Sequence, residues 1–217
     1  VTGMQELYPF LAPGGADVSA VLADVRRSTA EKANEIVRLR EIVLEEYGAE
    51  LAACAARMAA SFRAGGRLFA FGNGGSSTDA QDVAALFLNP GGAARPLPAL
   101  ALTTDVAVVT ALSNDIGFEV VFARQLAAFG RPGDIAVALS TSGNSDNLIA
   151  ALREAAGRGM VTVGLAGYTG GQMAETPGVS HLFVVPSSSV HRIQEAQTTI
   201  YHALWELTQR ELAGEAA

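Results

Sequence analysis

Leu139-Ser140-Thr141-Ser142-Gly143-Asn144-Ser145 follows the apolar run Ile135-Ala136-Val137-Ala138 and precedes a helical pattern that begins at Asp146-Asn147-Leu148. An apolar strand, a hydroxyl-rich turn and an amphipathic helix, in that order, place free main-chain N–H groups and hydroxyl and amide side chains at a helix N-terminus. The first-turn amides and the helix dipole favour an anion there, and phosphate is the commonest biological anion. The turn lacks the lysine of a nucleotide P-loop, so it does not fit a Walker-type NTPase. It reads as a cradle for the phosphate of a sugar.

Around this turn the pattern alternates. The runs Leu68–Phe71, Leu97–Leu102, Ile135–Leu139, Val161–Leu165 and Leu182–Val185 are short, apolar and free of internal charge. Strands buried on both faces look like this, and connections long enough to be helical imply a parallel sheet. Helices are predicted over about 77–89, 105–113, 118–129, 146–158 and 190–212. The fold class is α/β: a three-layer α/β/α sandwich around a five-stranded parallel sheet, with an N-terminal helical extension.

Three regions follow. Residues 1–16, with Pro9, Pro13, Gly14 and Gly15, read as an irregular lead-in. Residues 17–66 read as helices suited to packing between subunits. Asp17 is the expected N-cap of the first helix, which runs to about Glu46, and the polar gap Arg26–Asn34 marks a candidate break. A second helix carries Tyr47, Leu51, Cys54, Met58 and Phe62 as one stripe and ends at Arg63-Ala64-Gly65-Gly66. Residues 67–217 form the ligand-binding domain.

With 217 residues, 49% of them apolar, the chain can bury a sizeable core. A net charge of −7 argues against a direct nucleic-acid partner, which favours a basic excess. No long uncharged apolar run and no basic-then-apolar leader is present, so neither a membrane span nor secretion is expected. The single Cys54 allows no internal disulfide and agrees with a cytoplasmic location. It is expected to be a packed core residue.

A second turn, Phe71-Gly72-Asn73-Gly74-Gly75-Ser76-Ser77, sits between another strand and helix. Its glycines let the backbone approach a ligand, although a tight strand-to-helix turn needs no ligand. Ligands of open parallel sheets bind outside the carboxyl ends of the strands, where both turns are expected. Four segments in order, Gly72-Asn73-Gly74-Gly75-Ser76, Ser113-Asn114-Asp115, Ser140 to Ser145, and Arg192-Ile193-Gln194-Glu195, resemble the sugar isomerase (SIS) domain. The resemblance is to the branch holding phosphoheptose (sedoheptulose 7-phosphate) isomerase and the DnaA initiator-associating protein, and it covers about residues 45–212. It implies a homotetramer of flavodoxin-like sandwiches with sites at subunit interfaces. It also implies that Asn73, Gly74, Gly75, Ser76, Asn114 and Asp115 contact substrate, that Ser140, Thr141, Ser142 and Ser145 hold its phosphate, and that Gln194 touches substrate and metal.

The resemblance breaks where the isomerases carry a His and, four residues later, a catalytic Glu on one helix face. Those positions are Asp82 and Leu86 here. Aldose–ketose isomerisation needs one group to remove a carbon-bound proton and another to shuttle protons between oxygens, and leucine does neither. His202 remains as the catalytic candidate. Gln194, His202 and Asp82 make a partial ligand set, for which the cofactor would be zinc; no other cofactor is expected. Gln194 and His202 stand about 12 Å apart along a regular helix axis, so one ion needs ligands from elsewhere. Two functions stay open: a sedoheptulose 7-phosphate isomerase with a replaced base, and a non-catalytic regulatory module of the DnaA-associating type.

The other titratable residues read more plainly. His202 is split evenly between an interior hydrogen-bonded residue and an acid or base. His181 and His191 fall at a strand start and a helix start; His191 is near the phosphate end and suits the surface. Asp79 is expected to stabilise a helix N-terminus. Arg26-Arg27 and Glu45-Glu46 read as solvated helix faces, and Trp205 as packing.

Overall fold

The computed structural model describes residues 18–92 and 94–214. The expected lead-in 1–16 and the Asp17 cap lie outside them. Helix α1 spans Val18–Arg63 without interruption, 46 residues. The predicted break at Arg26–Asn34 and the division near Glu46 are therefore corrected. A polar stretch without proline or glycine, Ser28-Thr29-Ala30-Glu31-Lys32-Ala33, has no reason to stop a helix. Arg27 adds an i,i+3 ion pair to Asp24 at 2.9 Å. The chain divides into two units at Arg38 and Leu39. The described part of the first is helix alone, with Val21, Leu22 and Val25 exposed.

The second unit is a five-stranded sheet with helices on its faces. Its strands are β1 (Leu68–Gly72), β2 (Ala99–Ala101), β3 (Ile135–Leu139), β4 (Val161–Gly167) and β5 (His181–Val185). They lie in the order β2-β1-β3-β4-β5, and every neighbouring pair is parallel. The helices between them are α2 (Gly75–Leu88), α3 (Val106–Asp115), α4 (Val121–Phe129), α5 (Asp146–Gly157), α6 (Gly171–Glu175) and α7 (Val190–Ala213). A 3-10 turn, Phe118–Val120, leads into α4. The short α6 has no counterpart in the sequence prediction, because five residues are too few to show a period.

Alternation along β1 assigns the layers. Phe69 and Phe71, both fully buried, join a core with Val121, Phe122 and Leu126 of α4 and Leu148 and Leu152 of α5. Phe71 and Phe122 lie 5.4 Å apart between ring centroids. On the other side, Phe62 of α1 stacks on Phe87 of α2 at 5.8 Å, and Tyr47 meets Phe183 of β5 edge-on at 5.6 Å. Residues Leu39, Val43, Leu51, Cys54 and Met58 of α1 are buried, which explains why the helix joins the sheet unit from Leu39 onward. No helix among the described residues is long and apolar enough to cross a membrane.

Candidate functional site

β1 and β3 are adjacent and in register, with Gly72 opposite Leu139 as the last rung of the ladder. Their carboxyl ends therefore release the two polar turns side by side. Asn73 and Ser76 of the first turn and Ser140, Thr141, Ser142 and Ser145 of the second line one cavity of about 100 Å³. That volume is on the scale of a phosphoryl group rather than a nucleotide.

The hydroxyl turn is built to keep its donors. Gly143 N–H donates to Ser140 Oγ at 2.9 Å, and Asn144 N–H donates to Ser142 Oγ at 3.2 Å. A hydroxyl that accepts still has its own proton to give, so both serines remain donors toward an anion. Ser145 is the N-cap of α5 with no side-chain capping bond, which leaves its hydroxyl uncommitted to the helix. Main-chain N–H groups of Asp146 and Asn147 lie in the first turn, where no preceding intrahelical carbonyl exists to accept them. Gly143 sits at φ +69°, and a Cβ there would come within 2.0 Å of the Gly170 carbonyl oxygen. The loop after β4 thus packs hard against the turn: Asn144 Oδ1 accepts from Gln172 N–H at 2.9 Å, and Met173 N–H donates to the Gly143 carbonyl at 2.9 Å.

Two buried amides that the motifs do not include brace this turn. Asn147, 2% exposed, forms a reciprocal pair with Asn73, each Nδ2 donating to the other's Oδ1 at 2.9 Å. Gln197, fully buried on α7, donates to the Ser140 carbonyl at 2.8 Å. Both were detectable as polar residues on apolar helical stripes: Asn147-Ala151-Ala155 in α5, and Ile193-Gln197-Tyr201 in α7.

The glycine-rich turn works differently. A Cβ on Gly75 would fall 2.5 Å from Gln194 Nε2, so the glycine admits this side chain of α7 against the start of α2. Gln194 Nε2 also donates to Asp79 Oδ2 at 2.9 Å. Asp79 is thus the fifth residue of α2, not a first-turn stabiliser, and the expectation for it is corrected. Burial pushes its carboxyl above the ordinary range; the Gln194 bond lowers it in part, and Asp82 raises it again. Tyr201 is raised mainly by burial, with Asp79 and Asp82 adding to it.

The remaining predicted site residues stand apart from the cavity lining. Asn114 and Asp115 end α3 on an exposed surface, where Asn114 Nδ2 donates to Asp115 Oδ1 at 2.8 Å. Asp82 is exposed and Leu86 half-buried on α2. His202 is exposed, its ring stacked on Tyr201 at 5.2 Å, so the interior reading of this histidine is corrected. His191 is exposed, while His181 is bonded through Nδ1 to Glu50 at 2.7 Å. Among the described residues no three His, Cys, Asp or Glu side chains gather to hold a metal. Gln194 gives Nε2 to Asp79 and keeps Oε1 free, but Gln194, His202 and Asp82 alone make an incomplete ligand set for a zinc ion within one chain.

Parallel sheet, strand order and two polar turns at neighbouring carboxyl ends define an open α/β/α sandwich with a small polar cavity, and comparison with known proteins gives its family. A family model described as the SIS domain matches residues 33–167. The chain belongs to the SIS domain family, on the branch that holds its phosphoheptose isomerases. A phosphoheptose isomerase of Roseiflexus sp. is 44% identical over 180 residues, 82% of this chain and 90% of that protein. The solved phosphoheptose isomerase of Francisella tularensis superposes with a TM-score of 0.77 at 32% identity, covering 88% of this chain and 98% of that one. The one from Neisseria gonorrhoeae gives 0.76 at 36% identity, covering 84% and 97%.

Proposed function

We propose that this chain binds a phosphorylated sugar, its phosphoryl group seated in the turn Ser140–Ser145 and its carbon chain running toward Asn73, Gly74, Gly75 and Ser76. The observation that carries this reading is the single small cavity shared by the two turns. The hydroxyls of Ser140, Ser142 and Ser145 and the first-turn amides of α5 supply donors to the phosphate, and the helix dipole adds to them. The ligand is a heptose or ketose phosphate, sedoheptulose 7-phosphate being the substrate class of an aldose–ketose isomerase of this branch. Asn114, Asp115 and Gln194 join the sugar end, and His202 moves protons, in a cytoplasmic homotetramer whose sites lie at subunit interfaces and whose residues 17–66 pack between subunits. Residues of a neighbouring copy complete the site.

A second reading rests on Leu86. A half-buried leucine on α2, with exposed Asp82 one turn before it, offers no base to remove a carbon-bound proton. That favours a module that holds the phosphosugar and signals through protein contact. Two measurements decide. Millimolar sedoheptulose 7-phosphate raises the melting temperature if the cradle binds, because a ligand selective for the folded state stabilises it; no shift at that concentration rejects both readings. Solvent deuterium entering the bound sugar, abolished in His202→Ala, establishes the isomerase, while binding without exchange leaves the module.

A further inference from the structure

The geometry points to Asn147 as a positioning residue that sets the glycine-rich turn at the correct distance from the phosphate cradle. This rests on the phosphosugar reading above and concerns how the two halves of that site are held together. Past the rung between Gly72 and Leu139, no ladder joins β1 to β3, and the two turns leave the sheet separately. The reciprocal bonds between Asn73 and Asn147, both 2.9 Å, span that gap.

Asn147 holds its place at the expense of an apolar alternative. It lies on the buried face of α5 beside Leu148 and Ala151, where a side chain of leucine shape would pack without any polar group to satisfy. The pair consumes one N–H and one lone pair of each amide, which leaves each with one donor and one acceptor site in reserve. Asn73 lines the cavity and keeps its reserve within reach of a ligand, whereas Asn147 is 2% exposed and acts through Asn73. Next to Asn73 come Gly74 and Gly75; against Gly75 lies Gln194, and beyond it Asp79. Phosphate capture at the start of α5 is thereby tied, residue by residue, to the surface that meets the far end of the sugar. Inorganic phosphate occupies only the cradle and has no need of this link. A phosphosugar touches both turns and depends on it.

The test compares inorganic phosphate with sedoheptulose 7-phosphate by titration calorimetry on the full chain. In Asn147→Ala the phosphate affinity stays within about twofold of wild type, while the phosphosugar affinity falls about tenfold or more. Asn147→Leu keeps the branching at Cγ without an amide and covers the apolar face of α5, so it gives the same split if the alanine variant folds poorly. A purely structural role would lower the melting temperature and weaken both ligands equally. An unchanged affinity ratio in a folded variant overturns the proposal alone; a wild-type chain that binds neither ligand overturns it together with the phosphosugar reading.

Discussion

The two ends of the sheet each carry a polar hollow, and the larger one is the less suited to a ligand. At the amino ends of β1 and β3 a cavity of about 220 Å³ is lined by Arg67, Arg131, Gly133 and Asp134. The Asp134 carboxylate and the Arg67 guanidinium there are spent on one another and on nearby main chain. The Asp134 carboxylate accepts from Arg67 N–H at 2.8 Å, from the Arg67 guanidinium at 2.8 Å and from Arg131 N–H at 3.0 Å, and the same guanidinium donates to the Phe129 carbonyl at 2.7 Å. At the carboxyl ends the hollow is about 100 Å³, yet its Ser140 and Ser142 accept from their own turn and keep their protons. Residual hydrogen-bonding capacity, not volume, separates a structural knot from a binding site.

Substitutions at the two ends should therefore move different observables. Asp134→Ala leaves a guanidinium and two main-chain N–H groups without their acceptor. It should cost about 3 kcal/mol of stability, a fall in melting temperature of roughly 6–12 °C, with the stabilisation by phosphosugar unaltered. A lost ligand response in this variant would break the distinction. Ser142→Ala should do the reverse: the melting temperature shifts by no more than about 2 °C, and phosphate affinity drops about tenfold through loss of a bond to a charged group. Gly75→Ala sharpens the division within the carboxyl end. The new methyl group meets only the tip of flexible Gln194, so stability changes by less than about 1 kcal/mol. Gln194 is displaced from Asp79, and calorimetry should find the phosphosugar several-fold weaker with phosphate unaffected.

The smallest effect belongs to Asp79→Asn. Burial raises the Asp79 carboxyl above its unfolded value, so its ionised form costs stability at neutral pH, and that cost vanishes once both states are protonated. The variant should melt slightly higher than wild type at pH 7, with the gain shrinking to nothing as pH falls below about 4, near the ordinary carboxylate range. A gain constant across that interval would assign the effect to packing instead.

The sheet was legible from sequence because each strand is an uncharged apolar run bounded by turn residues; β3 was predicted at Ile135–Leu139 and lies there. The two turns share a cavity because β1 and β3 happen to be neighbours, a fact of strand order that the resemblance implied but no local pattern contains. The continuous α1 was missed because a polar gap in an exposed helix looks like an end, although its residues favour helix. Asn147 and Gln197 are hidden for the opposite reason: each is one polar residue on an apolar helical stripe, a pattern that signals burial but names no partner. Asp79 was read from its place in the chain, whereas its partner, Gln194, arrives from a helix 115 residues later.

Cys54, completely buried in α1, is the only thiol in the chain, and burial together with the nearby Glu50 holds it protonated. Alkylating dyes should leave it untouched in the native protein and find it at once in denaturant. The chain therefore comes ready for single-site labelling: Asp146→Cys puts one reactive sulfur on the exposed first residue of α5. A fluorophore attached there would report ligand arrival at the cradle by its own emission.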